Sequence, residues 1–202
     1  IAYAYARPKE PLTVFYEVPT FRGDSGGTDV AVNYEIPIRE LSTDRADGVE
    51  SAGLHKRIRV SDADFDVLMN EERGLSIVLD EEALARRPLV VDEWRFETPP
   101  GEYVIGFSVS DTLSERTGSG RSRVVVPDYQ SGSLLISDVQ MAADVGEGVR
   151  FRRMGGAVVP RPSRAFRRSE SLFVYFEIYG LTEDAPSISR FTVTTEISGR
   201  NY

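Results

Sequence analysis

No cysteine occurs in the 202 residues, and His55 is the single histidine. The first absence excludes disulfides, thiolate nucleophiles and cysteine-type zinc sites. The second excludes any centre that needs two imidazoles. Lysine is nearly missing too, with Lys9 and Lys56 standing against 22 arginines. No apolar run approaches the roughly 18 residues that a membrane-spanning helix requires. Neither a Walker-type phosphate loop nor a dinucleotide fingerprint is present. Position 1 is Ile rather than Met, so a processed chain or a fragment is expected, and an upstream export signal or lipid-bearing cysteine would leave no trace in these residues.

What the chain has is short alternating runs separated by turn residues. They are Leu12–Val18, Asp29–Ile38, Leu75–Leu79, Leu89–Phe96, Tyr103–Ser110, Arg121–Val126, Leu134–Ile136, Ala157–Val159, Leu172–Ile178 and Ser189–Ile197. Val, Ile, Tyr, Phe and Thr fill them, as a pleated and half-buried surface requires. GDSGG, PPGE, SGSGR and DYQSG lie between, all of them turn chemistry. Many strands with no helix of any length between them predict an all-β protein made of two tandem antiparallel Ig-like β-sandwich domains. Only Asp80–Arg87, with acids first, arginines last and Pro88 after it, reads as a short helix. Asp62–Glu72 has room for another turn or two.

Composition shifts near Pro127–Gly132. Residues 1–128 hold 15 basic and 24 acidic side chains, whereas 129–202 hold 9 and 8. The reading is an extended arm at 1–11, a first sandwich at 12–127 and a second, smaller one at 133–202. The second is short for a sandwich of about 100 residues, so it lacks strands or completes its sheet against another chain. A short echo links the parts: Val14–Pro19 (VFYEVP), Val32–Pro37 (VNYEIP) and Val174–Tyr179 (VYFEIY). In each, alternate residues form one apolar face, and Glu17, Glu35 or Glu177 points to the other. The first two copies are expected to pair across the GDSGG loop.

Several motifs fail as chemistry. Gly23–Gly27 (GDSGG) spells the nucleophile segment of trypsin-like proteases, yet the only histidine follows Ser25 rather than preceding it, so no general base stands in the required order. Asp62, Asp64 and Asp66 have the first three spacings of a calcium loop, but Val67 and Arg73 occupy its Gly and Glu positions; a solvated acidic turn is the expectation. Acid pairs such as Asp92-Glu93 are common and none stands out as an acid/base couple. Trp94, followed by the Pro-Pro-Gly turn and Tyr103–Asp111, predicts a tryptophan filling the space between two sheets.

Charge is more informative. Arg150, Arg152, Arg153, Arg161, Arg164, Arg167 and Arg168 fall within 19 residues that contain no acid. Such a block on a protein of net charge −8 steers an anionic partner and offers bidentate contacts to carboxylate or phosphate. The prolines in Val159–Ser163 stiffen it, which lowers the entropy lost on binding. The overall acidity argues against nucleic acid.

The segments PPGEYVIGFSVSD (99–111), LLISDVQMA (134–142), VVPRPSRAFRRSESLFVYFEIYGL (158–181) and FTVTTEI (191–197) resemble the carboxyl-terminal region of bacterial GWxTD-domain proteins. The Gly-Trp-x-Thr-Asp motif itself is absent, so its role does not carry over. The resemblance implies an exported, β-rich, noncatalytic scaffold and transfers no active-site residue. The chain is also similar to the β-rich periplasmic subunits that accompany the reaction centre–antenna complex of some phototrophic bacteria, which implies protein subunits of a membrane-bound assembly as partners. The expected function is therefore an extracytoplasmic interaction subunit without catalysis, cofactor or metal, docking through the seven arginines. The competing reading is a carbohydrate- or calcium-binding sandwich.

Overall fold

Between Leu54 and Val60 every second residue is a core candidate except Lys56, while His55, Arg57 and Arg59 occupy the alternate positions. A period of two turns these sets to opposite sides of a strand. In the computed structural model, which describes residues 10–79, 89–181, 189, 191–194 and 196, this stretch lies in β5 (Val49–Asp62). One side of β5 pairs with β6 (Val67–Leu79). The other side pairs first with β4 (Asp44–Ala46) and then with β8 (Gly101–Asp111), which carries β9 (Thr117–Val126) beyond it. This is the larger sheet.

The facing sheet is built on β3 (Thr28–Pro37). All ten of its residues pair with β7 (Leu89–Thr98). Its other edge takes β2 (Thr20–Arg22) and then β1 (Phe15–Glu17). Val30, Val32, Tyr34, Ile36 and Trp94 from this sheet meet Leu54, Ile58, Val60, Ile105, Phe107 and Val109 from the other in one core. Each such side chain contributes roughly 1.5–3 kcal/mol by burial. The Trp94 expectation holds, since it is buried between the sheets. So does the pairing of the first two echo copies, with Phe15, Tyr16 and Glu17 opposite Glu35, Tyr34 and Asn33. The GDSGG loop closes the β2–β3 hairpin, and Glu97 accepts the Asp24 and Ser25 N–H groups at 2.8 and 3.2 Å.

The remaining strands form a third layer. β11 (Gln140–Gly146) pairs with β13 (Gly156–Pro160) and β14 (Phe173–Tyr175), and β12 (Arg152–Arg153) flanks β13. A two-stranded piece joins β10 (Leu135–Ile136) to β15 (Ile178–Tyr179). The all-β, antiparallel sandwich expectation is thereby met. Residues 127–134 hold no strand, yet Tyr129 within them is buried against Thr20 at 2.9 Å.

Three sequence expectations need correction. Asp62–Glu72 is not helical: Asp62 ends β5 and its carboxylate accepts the Asp64 and Asp66 N–H groups at 3.0 and 2.9 Å, making a tight hairpin into β6. The aspartates favour that turn because their side chains replace backbone acceptors. Leu172–Ile178 is not one strand but two, β14 and β15, interrupted at Phe176 and Glu177. Among the described residues of Ser189–Ile197 none is in a strand, and Phe191 and Val193 are exposed; alternation supplies propensity, whereas a ladder needs a neighbouring edge. The Asp80–Arg87 helix and most of the 1–11 arm lie outside the described residues.

The sandwich closes along β1 and β9, where Leu12 N–H bonds the Thr117 carbonyl at 3.2 Å. Glycine makes this closure possible. A methyl group on Gly120 would meet the Phe107 ring and lie 2.7 Å from the Tyr16 ring, and one on Gly118 would meet Val14 and lie 2.8 Å from the Leu12 carbonyl oxygen. Gly120→Ala is therefore expected to lose about 1–3 kcal/mol by overpacking. Urea denaturation reads it, and an unchanged midpoint would show that β1 does not seat against β9 as described.

Candidate interaction surface

The period of two that sends Val30, Val32, Tyr34 and Ile36 inward sends Asp29, Asn33 and Glu35 to the opposite face of β3. That face is also buried, because the third layer covers it; no residue of β3 is exposed. Polar groups enclosed in this way must find partners from the covering layer. Ser163 N–H donates to Glu35 at 3.2 Å, and Asp29 holds Arg95, which in turn donates to the Arg152 carbonyl at 2.7 Å. Asp138 accepts both the backbone N–H and the hydroxyl of Thr20 at 2.8 and 2.7 Å. Arg22 N–H donates to the Tyr179 hydroxyl, which donates to Glu177.

The seven arginines are divided by this arrangement. Arg153 is buried, with its side chain 1% exposed, lying over Phe21 and 3.5 Å from Glu93. Arg150 pairs with Asp92 at 2.8 Å and donates to the Val91 carbonyl. Arg161 is largely covered and pairs with Glu170 at 3.5 Å, its guanidinium over Phe166. Arg152, Arg164, Arg167 and Arg168 are exposed, and among the described residues no ion pair engages their side chains. A turn in which Arg164 N–H bonds the Arg161 carbonyl at 2.9 Å presents Arg164, at φ +54°, and a second turn over 167–170 presents Arg167 and Arg168. Glu170 anchors the next turn by accepting the Arg167 N–H at 2.8 Å. The sequence block thus becomes three arginines fastening the third layer to itself and its support, and four directed at solvent.

A buried ion pair accompanies them that sequence reasoning passed over. Lys56 on β5 and Asp92 on β7 meet inside the sandwich, each side chain 9% exposed. Tyr34 donates its hydroxyl to the same carboxylate at 2.6 Å, and Lys56 also reaches the Glu93 carbonyl and the Trp94 ring. The signal was present: Lys56 stands at a core position between Leu54 and Ile58, and Asp92 at one between Val90 and Trp94. Two opposite charges at inward positions of facing strands announce a pair. Removing one partner leaves the other charge buried, so Asp92→Ala should cost about 3–5 kcal/mol. The joint change Lys56→Met with Asp92→Leu should recover most of that, as measured by thermal melting.

Carboxylates on the covered face titrate unusually. Burial pushes the Glu35 and Glu17 carboxyls above their ordinary 4.5 and Asp29 above 3.8, with hydrogen bonds and nearby arginines opposing the rise. Glu35 Oε2 has no hydrogen-bond partner among the described residues. A carboxyl raised in the folded state contributes stability that is complete below its unfolded value and lost as pH rises through the folded one. Glu35→Gln is therefore expected to raise the melting temperature at neutral pH and to flatten its decline as pH rises above the ordinary glutamate value of 4.5. An unchanged or steeper decline would refute burial of that charge.

Among the described residues no cluster of three His, Asp or Glu side chains is arranged to hold a metal, and no helix is long and apolar enough to cross a membrane. A groove of about 610 Å³ opens where β6 and β7 diverge; Leu75, Ile77, Leu79, Val90 and Phe151 line it, with Arg150 and Arg161 at its wall. No family model matches the chain, and no curated protein matches it.

Proposed function

We propose that the protein is a noncatalytic interaction subunit, acting outside the cytoplasm, that docks on a larger membrane-associated protein assembly. The observation that carries this reading is the division of the arginine block. Arg150, Arg153 and Arg161 are held by Asp92, Glu93 and Glu170, while Arg152, Arg164, Arg167 and Arg168 face solvent on a layer braced from beneath. Exposed arginines on a pre-ordered support recognise carboxylates or phosphates at little ordering cost. An acidic protein rim is the complementary chemistry.

Two further points support the reading. Carboxylates that acid/base chemistry would need are committed elsewhere: Glu177 receives two tyrosine hydroxyls, Asp92 receives a lysine, an arginine and a tyrosine, and Glu35 receives a backbone N–H. The described lining of the groove contains no carboxylate. The resemblance to GWxTD-domain proteins and to periplasmic reaction-centre subunits agrees with the same assignment and names the kind of assembly to test first.

The experiment is charge reversal of Arg164, Arg167 and Arg168 to Glu. The variant should keep its melting temperature, because these side chains are exposed, and should separate from the membrane complex in gradient centrifugation at a salt concentration where the wild-type protein stays bound. Co-migration with unaltered salt sensitivity would remove this surface from the contact.

A further inference from the structure

The larger sheet turns its second face away from both the core and the third layer. Its residues follow from the register. His55, Arg57 and Arg59 of β5 stand opposite Ser110, Ser108 and Gly106 of β8. Those three stand opposite Thr117, Ser119 and Arg121 of β9, and Val104 stands opposite Arg123. Arg57, Arg59, Arg121 and Arg123 are exposed, whereas the β8 residues between them are small and half-buried. The outer face is thus a trough along β8, floored by Val104, Gly106, Ser108 and Ser110. Arginines form both walls.

Its dimensions follow from sheet geometry. Walls on β5 and β9 lie about 10 Å apart, and successive arginines on one wall are about 7 Å apart. The floor is open, since a side chain on Gly106 would meet nothing within 4 Å. Arg57 is paired with Glu72, which also lies 3.3 Å from His55. Among the described residues no ion pair engages Arg59, Arg121 or Arg123. Glu102, on the same face of β8 beyond Val104 and opposite Val125, ends the cationic stretch.

We propose that this trough binds an extended acidic peptide segment of a partner protein, laid along β8. In an extended chain alternate side chains leave on opposite sides and recur about every 7 Å on each side. A run of four consecutive Asp or Glu residues therefore sends two carboxylates to each wall at the spacing of Arg57 and Arg59, and of Arg121 and Arg123. The two walls are offset by one row of the sheet, and arginine side chains are long enough to span that offset. Arginine forks favour carboxylates in paired geometry. This surface lies on the opposite side of the sandwich from Arg164, Arg167 and Arg168, so it adds a second contact and does not rest on the first.

The test uses the whole protein and fluorescent peptides at low ionic strength, where exposed charges are least screened. One peptide carries four consecutive glutamates; a second has the same composition with a glutamate at every fourth position. The contiguous peptide should bind at least about fivefold more tightly, and Arg59→Ser with Arg121→Ser and Arg123→Ser should weaken it by about tenfold or more. Gly106→Glu, which places an acid on the open floor, should weaken it as well with the melting temperature preserved. The Arg164, Arg167 and Arg168 reversal should leave the preference for the contiguous peptide over the spaced one unchanged, because only the trough reads that spacing. Equal affinity for the two peptides, binding undiminished by the serine substitutions, or tighter binding to a sulfated oligosaccharide or to vesicles of anionic phospholipid would each overturn the proposal.

Discussion

The structure depends on covering both faces of β3. A strand whose inward residues are Val30, Val32, Tyr34 and Ile36 needs only one apolar layer to be stable, and the larger sheet supplies it. The opposite residues Asp29, Asn33 and Glu35 are then free to face water, yet the third layer encloses them. That enclosure requires donors on the covered face; Ser163 and Arg153 come from the covering layer, and Arg95 comes from the neighbouring strand β7. Asn33 Oδ1, Glu35 Oε2 and both amide atoms of Gln140 are nevertheless left without partners among the described residues. The contact is specified by polar matching more than by oiliness, which is consistent with the raised carboxyls upon it.

The same constraint decides what the arginine block can do. Read as a line, residues 150–168 are seven equivalent charges. Folded, they are sorted by whether a carboxylate of β7 or of their own layer lies within reach. Arg150 and Arg153 reach Asp92 and Glu93 on β7, and Arg161 reaches Glu170 nearby. For the four left over, no carboxylate among the described residues forms an ion pair with them. An exposed cationic surface and its foundation come from one segment of sequence.

Charge is distributed with similar economy on the larger sheet. Lys56 and Arg57 are neighbours in the chain, but one lies buried beside Asp92 and the other projects beside Glu72. Alternation alone separates them. An acidic protein thereby presents arginines on two faces, while Asp29, Glu35, Asp92, Asp111 and Glu177 are buried.

Residues with a strict period of two disclosed their element from the sequence: Tyr103–Ser110 and Asp29–Ile38 became strands of the sandwich, Trp94 filled its core, and the first two echo copies paired. Local alternation suffices there because one face must be dry. Asp62–Glu72 misled because its acidic turn and the charged start of β6 lack an apolar stripe; β6 is anchored by the β5 edge and by Leu75, Ile77 and Leu79 further along the strand. The strand-like Ser189–Ile197 is irregular in its described residues for the converse reason, propensity without a ladder. Which arginines pair, which glutamates are buried and where the β8 trough lies were decided only in three dimensions. They depend on which strands become neighbours, bringing together residues as far apart in the chain as Glu35 and Ser163, 128 positions, and composition carries no record of that meeting.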